Sequence, residues 1–348
     1  MMNVHVVIPV YNCKGYVKEA VDSVLNQPYQ NIDVVLIDDG SEDGSFEVCD
    51  EIAEENARIY VIHQKNAGVS FARNHGIDFI LEKYRKNLDG HYIAFLDADD
   101  CWEKCFLDNS VWELLRKNFD LIGLQSCDCN EKMVKRTEPK ILKEDVFRGG
   151  AANVWMHSSS SFGAMFYSCK LLDKYGVRFP VQLKYSEDKI FSMQCMYLAE
   201  AIYQKNILMY LYRINANSAM GKRKFGIPYY GPIISGYLNM DREMEKWAND
   251  KRGILLEGRR CANRYIMEMI CEHYQQLGRK KTLDLFLASN PEIVDVVNGK
   301  GEYHILQQNL EYKKYIENPK KYIVKMYIRG ISFHFARCIQ RAIIKFFK

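Results

Sequence analysis

Over the first hundred residues, short apolar runs alternate with stretches whose apolar positions recur every three to four residues. The runs His5–Val10, Ile32–Ile37, Ile59–His63 and Tyr92–Leu96 have the length and β-branched content of strands. Between the first two, Tyr16–Asn26 sets Val17, Ala20, Val21, Val24 and Leu25 on one side of a helix. Asp43 or Ser45 can cap a second helix through Phe46, Val48 and Ile52. The turn Asn66-Ala67-Gly68 leads into a third, over Val69–Tyr84. Strands this apolar are covered on both faces. Their alternation with helices predicts an α/β fold: a doubly wound, mostly parallel sheet flanked by helices.

Later patterning is less regular. Trp112–Phe119 reads as helix, Leu121–Leu124 as strand, and Met165–Tyr175 as a strand leading into a helix. Ser158–Ser161 is a polar run that reads as a loop or an acceptor-side surface. Glu187-Asp188 opens an amphipathic helix carrying Ile190, Phe191, Met193, Met196 and Tyr197. An acidic pair there is also favourable simply as a helix N-terminus. From Pro228 onward the pattern is helical.

Composition narrows the classes. A chain of 348 residues can bury a sizeable core and hold two domains. A net charge of +4 does not point to nucleic acid, and no run of about 18 apolar residues predicts a spanning helix. Met1-Met2-Asn3 runs straight into a strand, so no secretory signal is expected. The 11 cysteines suit reduced thiols in a cytosolic protein. Cys101/Cys105 and Cys127/Cys129 are close pairs, but without a His-rich partner set they do not predict structural zinc.

Candidate chemistry begins at Asp97-Ala98-Asp99-Asp100, directly after the fourth strand. Alternate residues of a strand share a face, so Asp97 and Asp99 point the same way. Two neighbouring carboxylates repel, and a hard divalent cation offsets that. An acidic turn is the plainer alternative. However, Tyr11-Asn12 and Asp38-Asp39 also fall at carboxyl ends of predicted strands, where open α/β sheets bind ligands.

Taken together and in order, five elements resemble the family 2 glycosyltransferases, which have the GT-A fold. They are Pro9-Val10-Tyr11-Asn12, Ile37-Asp38-Asp39-Gly40-Ser41, Asn66-Ala67-Gly68 through Arg73-Asn74-His75-Gly76, Asp97-Ala98-Asp99-Asp100, and Glu187-Asp188. The resemblance covers roughly residues 3–215. It implies transfer of a sugar from a nucleotide diphosphate to an acceptor hydroxyl with inversion, assisted by Mg²⁺ or Mn²⁺. It implies a GT-A catalytic domain over 1–218, with a nucleotide-sugar half 1–105 and an acceptor half 106–218. A mainly helical region, 219–348, would follow.

The resemblance also implies roles. Asp39 resembles the carboxylate that accepts from the uracil imide, which makes a UDP-sugar the expected donor. Asp38 either joins it or supports the loop. Pro9, Val10, Tyr11 and Asn12 would line base and ribose, and Gly68, Ala98 and Arg73 would lie along the donor, with Arg73 near the diphosphate. Asp99 looks like the metal ligand, and Asp97 serves ribose or metal. Asp188 looks like the catalytic base, with Glu187 as the alternative, and Asp100 is structural. Tyr212-Arg213 through Ser218 resembles a segment of bacterial transferases that add single sugars. Arg213 could reach the diphosphate from a closing loop, or form a structural ion pair. The Gln-x-x-Arg-Trp element of processive synthases is not evident.

Residues 321–348 hold seven basic and no acidic residues among many apolar ones, the composition of a helix on an anionic membrane surface. The expected enzyme is therefore cytoplasmic and peripheral on the inner face of the membrane, acting on a glycan or lipid-linked glycan in capsule, exopolysaccharide or lipopolysaccharide synthesis. The tail could instead pack on the protein. Two other classes are weaker. An oxidoreductase lacks its Gly-x-Gly-x-x-Gly after the first strand, where Tyr11-Asn12-Cys13-Lys14-Gly15 stands. Asp39, Asp97, Asp99 and Asp188 standing together argue against a non-catalytic nucleotide-sugar binder.

Overall fold

The computed structural model describes residues 2–139, 141, 144–148, 162–214, 236 and 240. The chain divides into two units, Met1–Lys222 and Arg223–Lys348. The Ser158–Ser161 run, the segment 215–218 and the basic tail 321–348 lie outside the described residues, as does nearly all of the region from Pro228 onward.

The first unit opens with strict strand–helix alternation. Strands β1 (Asn3–Val10), β2 (Ile32–Asp38), β3 (Ile59–His63) and β4 (His91–Phe95) are joined by helices α1 (Val17–Leu25), α2 (Ser45–Glu55) and α3 (Val69–Tyr84). They pair in parallel in the order β3-β2-β1-β4. All of β4 is buried, and so are six of the seven residues of β2, as continuous apolar runs require. The inner face of α1 is Val17, Ala20, Val21 and Val24, the predicted stripe. Helix α3 lies tight on β1: a Cβ on Gly76 would sit 2.5 Å from Val7 Cγ1. That close approach brings the N-terminus of α3 to the carboxyl edge of the sheet.

The second half is mixed. After β5 (Cys101–Trp102) and α4 (Asn109–Arg116) come β6 (Leu121–Cys129), β7 (Asp145–Arg148), β8 (Met165–Ser168), α5 (Cys169–Tyr175), α6 (Glu187–Leu198) and β9 (Ala201–Arg213). Strand β8 joins β4 to β6 in antiparallel fashion, β9 runs parallel to β6, and β5 and β7 pair antiparallel with β9. The result is a nine-stranded sheet among the described residues. The expected parallel sheet is thus confined to the first half and to β6–β9. Strand β9 was not expected: its core-facing residues are interrupted by a half-buried stretch, Lys205–Leu208, that breaks any clean period.

Four phenylalanines from separate elements, Phe95, Phe162, Phe179 and Phe191, meet under the site. Phe179 and Phe191 stack at 3.9 Å, closing the second half against β4.

Candidate active site

The carboxyl ends of β1, β2 and β4 present the residues singled out from the sequence. At the end of β2, Asp38 and Asp39 are 1% and 3% exposed, so their carboxylates need internal partners. Asp39 has three. Oδ1 accepts from Gln64 Nε2 at 2.7 Å and from the Ala67 N–H at 2.8 Å, and Oδ2 accepts from the Gly68 N–H at 2.8 Å. Gly68 has φ +96°, a conformation that turns its amide onto Asp39 at the start of α3. Asp38 accepts from the Ser41 N–H and pairs with His63, whose other ring nitrogen meets Asp50. Those two carboxylates raise the His63 pKa against the opposing effect of its partial burial. Asp38 therefore supports the loop, the second of the two roles expected for it. Tyr11, which follows β1, is half exposed. Asn12, at φ +52°, is stapled by its own N–H to Ser41 Oγ and by its side-chain oxygen to the Glu42 N–H. Val10 is fully buried, and its carbonyl accepts the Asp39 N–H at 2.8 Å.

Strand β4 ends at Phe95, and the three aspartates follow on a turn closed by the Asp100 N–H on the Asp97 carbonyl at 3.0 Å. Strand alternation therefore does not set their direction, and they separate in role. Asp97 and Asp99 are half-buried, with Ala98 buried between them. Burial and the neighbouring Asp97 push the Asp99 carboxyl up to about 6. Arg73 meets one oxygen of Asp97, and the carboxylate oxygens that remain on the pair are the hard donors Mg²⁺ or Mn²⁺ takes. No group of three or more His, Cys, Asp or Glu side chains converges among the described residues. Remaining ligands would therefore come from phosphate oxygens and water. Asp100 is 1% exposed, accepts Tyr210 Oη–H at 2.5 Å and the Arg213 N–H at 2.6 Å, and is pushed up by burial and by Asp97 and Asp99.

Two arginines are buried in ion pairs. Arg73, expected near the diphosphate, is 4% exposed, with Nη2 2.6 Å from Asp97 Oδ1 and Nη1 3.0 Å from Glu187 Oε1. Its guanidinium also lies 4.8 Å from the Phe162 ring and 5.3 Å from the Phe179 ring. The carboxylates of Asp97 and Glu187 keep it charged against the opposing effect of burial, and fix it beneath the site. Arg213 is on no loop. It is the last residue of β9, also 4% exposed, and bonds the Asp99 carbonyl at 2.6 Å, Glu19 at 2.6 Å and the Glu131 carbonyl. Its charge is thus spent holding the turn that carries Asp99.

Glu187 and Asp188 begin α6, and the helix turns them apart. Glu187 is buried on Arg73, and its carboxyl rises to about 7 from burial and from Asp188, opposed by Arg73. Asp188 stays half-exposed. Asp188 is therefore the more accessible of the two carboxylates, and Glu187 is an anchor. Gln64, His63, Glu19 and Tyr210 were missed from the sequence. The parallel register that puts His63 beside Asp38 could have found the first two.

This architecture, a parallel β3-β2-β1-β4 first half joined through an antiparallel strand to a mixed second half, defines a GT-A glycosyltransferase domain. Residues 5–176 match the profile of Glycosyl transferase family 2, and this domain belongs to that family. The chain is 29% identical over 229 residues to the glycosyltransferase EpsJ of Bacillus subtilis, covering 62% of each protein. It is 29% identical over 224 residues to the glycosyltransferase GlyA of Streptococcus pneumoniae, covering 61% of this chain and 31% of the relative. The matches thus span less than two thirds of these relatives' own length. Among solved structures, Staphylococcus aureus TarS 1–349 in complex with UDP-GlcNAc superimposes with a TM-score of 0.71 at 16% identity, covering 96% of this chain and 92% of that one. That likeness concerns the fold.

Proposed function

We propose that this chain is a metal-dependent, inverting glycosyltransferase that moves one sugar from a UDP-sugar to an acceptor hydroxyl of a lipid-linked glycan in bacterial surface polysaccharide synthesis. One observation carries the reading. Asp39 and the Asp97–Asp99 pair share the carboxyl edge of one sheet, and Arg73 ties that pair to the helix bearing Asp188. The glycosyltransferase names of EpsJ and GlyA support the activity. The UDP-GlcNAc bound in the TarS structure supports a UDP-sugar donor.

The chemistry divides among the residues. Asp39 uses its remaining lone pair to accept an imide N–H of the base. Tyr11 offers a half-exposed ring for stacking on it. Asp99, with the Asp97 oxygen that Arg73 leaves free, would hold Mg²⁺ or Mn²⁺, which supplies charge neutralisation to the departing diphosphate. Asp188 takes the proton of the acceptor hydroxyl as that oxygen attacks the anomeric carbon from the side opposite the diphosphate. A single displacement of this kind inverts the anomeric centre. Proton NMR of the product from an α-linked UDP-sugar is expected to show a β linkage, with UDP release abolished by chelator. An α product, or release unaffected by chelator, would contradict the reading.

No helix among the described residues is long and apolar enough to cross a membrane. The basic, apolar composition of 321–348 supports peripheral attachment to an anionic surface. Flotation with anionic liposomes is expected to carry the full chain and leave behind a version ending at Asn318. Equal flotation of both would remove the idea.

A further inference from the structure

We infer that Gln64, oriented by His75, is the positioning residue that aims the Asp39 carboxylate and so sets which nucleobase the donor site accepts. This rests on the UDP-sugar reading above and adds a specificity determinant to it.

The geometry is a three-member relay across the mouth of the nucleotide pocket. His75 Nδ1 lies 2.8 Å from Gln64 Oε1, and Gln64 Nε2 lies 2.7 Å from Asp39 Oδ1. The backbone beneath is fixed independently. The Gln64 N–H donates to the Asp38 carbonyl at 2.9 Å, one residue beyond β3. A Cβ on Gly40 would meet the Asn66 N at 2.8 Å and the Gln64 carbonyl oxygen at 3.3 Å, so the two loops are in contact. With both loops held, the side-chain amide has a single useful orientation. Turned over, its oxygen would face a carboxylate oxygen, acceptor against acceptor. His75, an exposed residue of α3, donates to the far end and holds the amide that way round.

Lone-pair accounting gives the consequence. An ionised carboxylate offers about four acceptor sites. Gln64 and the Ala67 N–H fill Oδ1, and the Gly68 N–H takes one site on Oδ2. One site is left, on Oδ2. A base edge that brings an N–H, such as the uracil imide, satisfies it. A base edge that brings a lone pair there, such as cytosine N3, is repelled. Without Gln64, Oδ1 regains a vacant acceptor site that a different donor edge can take, and the distinction weakens.

The test is calorimetric titration of the full chain with UDP, CDP and inorganic diphosphate, all with Mn²⁺. Gln64→Ala is expected to weaken UDP about tenfold, the usual scale for losing a hydrogen bond to a charged group. Gln64→Glu sets two carboxylates together and is expected to weaken UDP further. His75→Ala is expected to weaken it about threefold, as loss of one modest hydrogen bond would. In each variant the UDP-over-CDP preference narrows while inorganic diphosphate binds as in the parent. An unchanged UDP affinity and preference in Gln64→Glu would overturn the inference. Equal losses for all three ligands would also overturn it, since they would mark general damage rather than base reading. A parent chain that binds diphosphate but shows no preference for UDP would instead sink the UDP-donor reading.

Discussion

Asp188→Asn is expected to lower turnover by about 10²–10⁴-fold, the range for removing a general base, while UDP affinity stays within about twofold of the parent. The substitution keeps the shape but exchanges one acceptor oxygen for an amide donor and removes the charge that lets the group take a proton. Exposure singles out Asp188 over its neighbour. It stays half-exposed in the first turn of α6, whereas Glu187 is buried and bonded to Arg73. Initial rates with saturating donor, beside UDP titration, check both halves of the expectation. Near-full activity would remove Asp188 from the mechanism.

Arg73→Met is expected to cost about 3–5 kcal/mol of stability, the scale for deleting one partner of a buried ion pair. The guanidinium joins Asp97 after β4 to Glu187 on α6, side chains from two halves of the domain, inside a box of aromatic rings. Methionine fills the space but leaves both carboxylates without their cation. The pH dependence has a definite sign. The Glu187 carboxyl is already raised from 4.5 to about 7 in the fold, so its contribution falls as pH rises through that window. Arg73 is what opposes that rise, so its loss pushes Glu187 higher, and the deficit grows from pH 5 to pH 8. Urea unfolding at the two pH values measures it. A variant as stable as the parent at pH 8 would show that the pair holds nothing together.

The N-terminal half was largely legible. Continuous apolar runs located β1 to β4, a stripe of period 3.6 located α1, and the acidic residues picked out at strand ends do lie along the carboxyl edge of the sheet. The rest failed for physical reasons. A two-residue strand such as β5 has no period to read. The partners of Arg213 are Glu19, 194 residues away, and the Asp100 carboxylate, 113 away, and nothing local announces either. Arg73 was expected near the diphosphate, and Arg213 either there or in a structural ion pair, because guanidinium chemistry suits oxyanions of both kinds. In the fold that chemistry is turned on the protein's own carboxylates and carbonyls, which fix the aspartates that face the site. Gln64 carried no motif signal, since an amide matters here only through what stands on either side of it.

The most direct test of the central claim is a thermal-shift measurement on the full chain with UDP, GDP, CDP and their sugars, each with and without Mn²⁺. The account predicts that UDP and a UDP-sugar raise the melting temperature in the presence of metal, and that chelator removes most of the shift. If no nucleoside diphosphate or nucleotide sugar stabilises the chain with metal present, the carboxylate edge described here is not a donor site.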